Sequence, residues 1–132
     1  MSGSSTLPLY VLVMAGGAIG ALLRYALGQM LMRPLLAGQW PWATLTANLC
    51  GALAAGFLLV WLEGRPHAGA WRALLLVGLL GGLTTFSSLM LEWLLLTRDG
   101  RAGLALGYLA VSLAGGMLLV WTGARLAMML RA

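Results

Sequence analysis

The 132-residue chain is 61% hydrophobic and only 8% charged, and it carries a net charge of +5. Soluble domains contain about 25% charged residues, so this composition excludes an ordinary soluble domain and indicates a membrane protein. The single cysteine, Cys50, excludes an intrachain disulfide and a thiolate metal cluster, and we expect it to be a small buried residue.

Four apolar runs are long enough to cross a bilayer, whose hydrocarbon core takes about 20 apolar residues per helix. They cover approximately residues 9–32, 42–62, 71–96 and 103–130. We therefore predict an all-α membrane protein with four transmembrane helices, in which residues 1–132 form a single transmembrane domain. No basic residue precedes the first run and Arg24 interrupts it, so we expect it to remain in the mature chain rather than be cleaved as a signal peptide.

Proline and tryptophan mark the ends of these runs. The first helix is expected to start just after Pro8, a residue that a first turn tolerates, and to end before Arg33. Trp40 and Trp42 lie at the start of the second run and Trp61 at its close, as is typical of membrane interfaces. The loops between the runs are therefore short.

Small residues four positions apart occur in every predicted helix, and such pairs let membrane helices approach closely. We expect tight packing at each pair but nothing more specific. The pairs are Gly16 and Gly20, Gly51 and Ala55, Gly78 and Gly82, and Gly103 and Gly107.

The eight basic residues are all arginines at or near the ends of apolar runs, which favours contacts with headgroups and helix ends over nucleic-acid binding. Four spans put both termini on one side, and each side then collects four arginines. One side has Arg65, Arg72, Arg125 and Arg131, and the other has Arg24, Arg33, Arg98 and Arg101. Because an excess of Lys and Arg fixes orientation, this balance predicts dual topology. If the intrahelical Arg24 is not counted, the side that holds the termini has a small excess of arginine.

The third run contains GGLTTFSS, residues 81–88, near its centre. Glycine lets a backbone leave the helix, and threonine hydroxyls can pair with the carbonyls that are released. We predict a helix break near residues 81–85, whose carbonyl oxygens would suit a small cation. A straight helix that uses the glycine pair for packing is the alternative.

Two further pairs of polar residues share helix faces at a spacing of four residues. Thr44 and Asn48 lie on the second helix, and Tyr108 and Ser112 lie on the fourth. By depth, both pairs fall in the membrane half that holds residues 86–92, so we expect them to line one vestibule. All four donate hydrogen bonds without a fixed charge, which suits a partly dehydrated anion, as does the positive ring edge of Phe86. For Asn48, an interhelical hydrogen bond is an equal alternative.

Glu92 is the only acid well inside an apolar run, which makes it a functional candidate. Because it lies near the end of its helix, snorkelling or pairing with Arg24 are alternatives. Arg24 in turn either pairs, faces an aqueous vestibule or attracts anions there. The only histidine, His67, lies in a loop without a carboxylate or cysteine cluster, and no nucleotide-binding fingerprint is present, so we do not expect an enzyme.

These motifs resemble those of the Fluc (CrcB) fluoride channels over nearly the full length of the chain. The matching stretches are residues 16–21 with Arg24 and Tyr25, residues 40–51, and residues 81–88. The resemblance implies an antiparallel dual-topology homodimer with two fluoride pores, which exports fluoride passively from the cytoplasm through the inner (plasma) membrane. Its implied partners are fluoride, membrane lipid and a second copy of the chain, with no nucleic acid.

By position, the resemblance assigns a fluoride pathway to specific residues. Asn48 matches the pore asparagine, Phe86 the first of two pore-lining phenylalanines, and Tyr108 and Ser112 the pathway residues of the fourth helix. The polar track beside the phenylalanines matches Thr44, Ser87, Ser88 and Glu92, and Arg24 is a further candidate. The resemblance also implies a structural sodium ion at the dimer interface, held by the backbone carbonyls of Gly81 and Thr84.

The chain departs from this pattern at three positions. Leu89 stands where a second phenylalanine is usual, and Met90 and Gly116 stand where serines are common. An aromatic edge and two hydroxyls are thereby lost, so we expect the conductance or the route to differ.

Two other functions remain as alternatives. A small dual-topology, proton-coupled exporter of cationic drugs would have a similar architecture, but such proteins depend on a carboxylate in the first helix, where this chain has none. A membrane protein with only an assembly role would conduct no ions.

Overall fold

The structure, a computed structural model, describes residues 7–32 and 40–132. Apolar stretches without an interior proline form long helices in these residues. Pro8 lies in the first turn of its helix and Pro41 immediately precedes the next, where the missing N–H does no harm. In chain order the elements are α1 (Leu7–Met32), α2 (Trp42–Trp61), α3 (Ala68–Trp71), the π-helical segment Arg72–Leu80, α4 (Gly81–Leu83), α5 (Phe86–Arg98) and α6 (Ala102–Arg131).

Four stretches of this part of the chain are long and apolar enough to cross a membrane. They are Pro8–Leu31, Trp42–Trp61, Ala68–Arg98 and Ala102–Arg131. We call Ala68–Arg98 the third segment. The expectation of an all-helical membrane protein with four long apolar helices is confirmed. Arg33, which was expected just beyond the first helix, lies outside the described residues.

The third segment contains two residues with extended backbone, Thr84 (φ −81°, ψ 152°) and Thr85 (φ −151°, ψ 123°), between α4 and α5. We call them the extended pair. The sequence predicted a break near residues 81–85, and the extended backbone lies at Thr84 and Thr85, whereas Gly81 and Gly82 belong to α4 and Gly81 has φ −64° and ψ −34°. The β-branched threonines favour the extended conformation instead.

The glycines of the third segment serve close packing against α1. A Cβ on Gly16 or Gly20 would lie closer than 3.0 Å to the carbonyl oxygens of Leu74 and Leu79, respectively. A Cβ on Gly82 would meet the carbonyl oxygen of Gly17 at 2.5 Å. The glycine pairs of α1 and of the third segment therefore interlock, as expected.

α2 packs along α6 in the same way, with Gly56 against Val120 and Gly123 against Leu53. Gly103 and Gly107 were also expected to pack closely, and this is wrong within the described residues, where a Cβ on either would meet nothing within 4 Å.

The core lies where α5 and α6 meet the start of α2. It consists of Leu45, Leu89, Leu96, Ala105 and Tyr108. Cys50 was expected to be buried, but it is exposed on the outer face of α2, where lipid tolerates a neutral thiol as a small hydrophobe.

Candidate functional site

The side chain of Asn48 pairs with the backbone of the extended pair. Asn48 Nδ2 donates to the carbonyl oxygen of Thr85 at 3.0 Å, and the N–H of Thr85 donates to Asn48 Oδ1 at 2.7 Å. In a continuous α-helix that N–H would donate to the carbonyl of Gly81, four residues earlier. Asn48 therefore satisfies both backbone groups of Thr85 and takes away the usual partner of the Gly81 carbonyl. The interhelical hydrogen bond that was one expectation for Asn48 is present.

Thr84 closes the helix that precedes the extended pair. Its N–H and its Oγ1 both donate to the carbonyl oxygen of Leu80, at 2.9 and 2.7 Å. Its methyl group lies against Gly51 of α2, where a Cβ would come closer than 3.0 Å to Thr84 Cγ2. Gly51 therefore makes the room in which the extended pair approaches α2.

Thr85 begins the next helix as its N-cap. The N–H of Ser88 donates to Thr85 Oγ1 at 3.2 Å, which satisfies one of the free donors in the first turn of α5. The Oγ atoms of Ser87 and Ser88 each lie 3.2 Å from Thr85 Oγ1. Three hydroxyls thus gather at the positive end of the α5 dipole.

An open cleft of about 430 Å³ adjoins this junction. It brings together five of the residues that the sequence singled out: Asn48, Gly81, Thr84, Phe86 and Ser112. Phe86 is 70% exposed, whereas Ser112 is buried and its Oγ has no hydrogen-bond partner among the described residues. The cleft is therefore lined by neutral donors, backbone and apolar side chains.

The three unusual positions lie at the cleft or against the core. Leu89 and Gly116 line it, and Leu89 is only 4% exposed because it belongs to the core. Met90 packs against that core. A Cβ on Gly116 would meet nothing within 4 Å, so the cleft is open at this position, where the motif resemblance led us to expect a serine.

A second polar group surrounds Glu92. Thr44 Oγ1 donates to Glu92 Oε1 and the hydroxyl of Tyr108 donates to Oε2, both at 2.6 Å. Tyr108 is fully buried and Thr44 is 7% exposed. Two buried hydroxyls thus hold a carboxylate on α5, and Glu92 neither snorkels nor pairs with Arg24.

Arg24 binds elsewhere. Its Nε donates to the carbonyl oxygen of Gly82 at 3.1 Å, so α1 satisfies one of the carbonyls released at the end of α4. Arg24 was expected to pair, to face an aqueous vestibule or to attract anions. It pairs, but with a backbone oxygen rather than with an acidic side chain.

The two polar groups lie one helical turn apart. Thr44 and Asn48 are separated by four residues along α2, as are Tyr108 and Ser112 along α6, which corresponds to a rise of about 6 Å. Each pair places one member beside Glu92 and the other at the cleft. The pairs were expected to line one vestibule, and instead they connect two adjacent sites.

Some contributors were missed from the sequence. Thr85 was not singled out as the partner of Asn48, although a Thr just before an apolar run is an N-cap signal that could have identified it. Trp40 was taken only as an interface anchor, yet its ring lies edge-on to Tyr108 with centroids 5.8 Å apart. No sequence pattern predicts that contact.

No group of three His, Cys, Asp or Glu side chains that could hold a metal ion occurs in residues 7–32 and 40–132. The Gly81 carbonyl, which lacks the Thr85 N–H as its helical partner, is a neutral oxygen beside the cleft.

The fold and the site define a multi-pass helical membrane protein that gathers neutral polar groups around an irregular point in one of its membrane segments. The family described as "CrcB-like protein, Camphor Resistance (CrcB)" matches residues 11–124. The chain therefore belongs to the CrcB family, and the family resemblance expected from its motifs is confirmed.

Relatives with the name "Fluoride-specific ion channel FluC" support this assignment. The chain is 52% identical over 117 residues to one from Xylella fastidiosa, covering 88% of this chain and 81% of the relative. It is 48% identical over 118 residues to one from Thermus thermophilus, covering 89% and 91%. It is 43% identical over 122 residues to one from Pseudomonas fluorescens, covering 89% and 94%.

Proposed function

We propose that this chain is a fluoride-selective ion channel, not an enzyme, and that it lets fluoride leave the cytoplasm passively through the plasma membrane. The observation that carries the proposal is the cleft beside Asn48, whose donors are all uncharged. The names of the relatives at 43–52% identity support the choice of ion.

The proposed pathway uses neutral donors to replace part of the water around the anion. Asn48, Ser112 and the hydroxyls at the start of α5 offer hydrogen bonds without a fixed positive charge, so they attract an anion without trapping it. The exposed ring edge of Phe86 adds a weakly positive surface. Ser87 and Ser88 belong to the same pathway, through their contacts with Thr85.

The proposed pathway continues to the second polar group, which consists of Glu92, Thr44 and Tyr108. A carboxylate would repel fluoride, but both of its oxygens accept hydrogen bonds from buried hydroxyls. Because each hydroxyl donates its single proton to Glu92, Thr44 and Tyr108 screen the carboxylate and position it rather than donate to the passing ion. Arg24 supports the pathway from outside by holding the end of α4 rather than by lining the cleft.

We also propose that the channel is an antiparallel, dual-topology homodimer. Irregular backbone at membrane depth must be buried in protein or line a wet cavity. In the single chain, the cleft beside the extended pair is open, Gly81 is exposed and Phe86 is 70% exposed. A second copy with the opposite orientation would bury this surface, and the balanced arginines support equal insertion in both directions.

A structural sodium ion fits the centre of such a dimer. The Gly81 carbonyl has lost the N–H of Thr85 to Asn48, and Gly81 is exposed beside the cleft. Carbonyl oxygens are hard, neutral ligands that suit an alkali cation. The backbone carbonyls of Gly81 and Thr84 from each copy would hold the ion, which would offset the repulsion between carbonyl dipoles that converge at the interface.

The proposal is tested by fluoride efflux from proteoliposomes with and without an imposed proton gradient. A passive channel releases fluoride at the same rate in both cases, once the membrane potential is clamped. Efflux of a cationic drug that rises with the proton gradient, without fluoride flux, would favour the small exporter instead. Absence of any flux would favour an assembly role.

A further inference from the structure

A groove of about 380 Å³ lies at the other end of the α2 helix, where its last turns meet the start of the third segment. Trp61 and Trp71 flank it, and Leu58, Leu62 and Leu75 form its apolar floor. Tryptophan is typical of the level of lipid headgroups and leucine of the acyl region below it. The groove therefore runs from the headgroup level into the hydrocarbon level.

Arg65 forms the polar rim of this groove. Its guanidinium lies over the ring of Trp61, 4.1 Å from the centroid, and its Nε donates to the Trp61 carbonyl oxygen at 2.8 Å. These two contacts hold the guanidinium at the end of α2. The remaining N–H groups of such a stacked guanidinium form a planar fork that matches a phosphate group.

The charges around the groove leave this arginine without an acidic competitor. Glu63, the nearest acid in the sequence, lies 3.7 Å from Arg131, which also donates to the carbonyl oxygens of Val60 and Glu63. The two remaining acids of the chain are Glu92, held by two hydroxyls, and Asp99, beyond the far end of α5. The groove end of the molecule is therefore positive.

We propose that this groove binds one anionic phospholipid, with its phosphate on Arg65 and one acyl chain along Leu58 and Leu75. Arg72, the residue after Trp71, adds a second positive charge near this end of the molecule. The occupant is a lipid rather than a free anion because the apolar floor is continuous with the positive rim. The proposal does not depend on the conducted ion.

Native mass spectrometry of the full-length protein in mild detergent tests it, with phosphatidylglycerol and phosphatidylcholine of the same acyl chains as probes. We expect phosphatidylglycerol to be retained in preference. Arg65→Gln should lower the apparent association constant for phosphatidylglycerol about fivefold, the change that about 1 kcal/mol per arginine at a headgroup corresponds to. Arg65→Lys should fall in between, because it keeps the charge but loses the planar stack.

Arg125→Gln is the matched control. Arg125 also stacks on a tryptophan, Trp121, at 5.4 Å, but it does not line the groove, so its substitution should leave retention near the wild-type level. Equal retention of both lipids, or wild-type retention in a monodisperse Arg65→Gln protein, would overturn the proposal. Displacement of the lipid by millimolar inorganic phosphate would also overturn it, since the acyl chain would then contribute nothing.

Discussion

Asn48 replaces, for one residue, the hydrogen bonding that a continuous helix would provide. Its amide accepts from the N–H of Thr85 and donates to the Thr85 carbonyl, and among the other natural side chains only the longer glutamine carries the same amide. The same amide also lines the cleft. Local structure and proposed ion contact therefore converge on one side chain.

Asn48→Leu tests this dual role. Both backbone groups of Thr85 lose their partner, which should cost about 1–3 kcal/mol of stability per unpaired buried group. Fluoride efflux should fall about tenfold or more, since a barrier increase of about 1.4 kcal/mol already suffices for tenfold. Thr46→Val, on the same helix but outside the cleft, serves as the control. Wild-type flux in a folded Asn48→Leu protein would remove Asn48 from the pathway.

Tyr108 tests the second polar group. Tyr108→Phe keeps the buried ring but removes the hydroxyl that donates to Glu92 at 2.6 Å. Hydrogen bonds to charged groups contribute about 1.5–3 kcal/mol, so chemical unfolding should show a loss of that order. Tyr10→Phe is the control, because Tyr10 is 66% exposed. If the two substitutions have the same effect on unfolding, the contact with Glu92 does not stabilise the fold.

At the scale of elements, glycines lie at the closest contacts between helices. α1 meets the third segment at Gly16, Gly20, Gly78 and Gly82, and α2 meets α6 at Gly56 and Gly123. Hydrophobic burial does not drive association between helices in lipid, so close backbone packing must hold these pairs together. The extended pair keeps its position because both neighbouring helix pairs are fixed in this way.

Gly16→Ala tests this packing, with Gly28→Ala on the same helix as the control. The added methyl group at Gly16 would collide with the backbone of Leu74, whereas at Gly28 it would meet nothing within 4 Å. Overpacking of this kind costs about 1–3 kcal/mol, so the unfolding midpoint of the Gly16 variant should fall. The Gly28 variant should be unchanged or slightly more stable, since alanine favours the helix. Equal midpoints for both variants would contradict the packing argument.

The sequence predicted the elements better than their local detail. A membrane helix needs an apolar run of sufficient length, so the four long helices could be predicted from the apolar runs of the sequence. The placement of the extended residues was not, because both glycine and threonine can end a helix, and only the contact of Asn48 with Thr85 distinguishes them. The pairing of Glu92 with Tyr108 was also inaccessible, since 16 residues and a turn separate them. The roles of the site residues in conduction stay predictions.

At the scale of the whole molecule, the distribution of arginines and the exposed cleft both support the proposal of a second copy. The sequence assigns four arginines to each side of the membrane when Arg24 is counted, and the polar cleft is open on the surface of the single chain. The proposed antiparallel pair would account for both features, because each orientation would insert equally well and each copy would cover the other's cleft.

A reporter at the C-terminus tests the orientation. Fusions to a reporter active only in the cytoplasm and to one active only outside it should both give signal, because the arginine balance gives no preference. Adding two arginines to the loop after α2, near Arg65, should shift the signal strongly to the cytoplasmic reporter. Signal from a single side in the wild-type chain would contradict dual topology.

The central claim is that neutral donors around Asn48 and the extended pair form a pathway for fluoride. Simultaneous recording of fluoride and chloride efflux from one preparation of proteoliposomes, with an ion-selective electrode for each, tests it most directly. We predict rapid fluoride release with chloride retained, because a small, strongly hydrated anion gains most from closely placed hydrogen-bond donors. Chloride release at the same rate as fluoride would contradict the account.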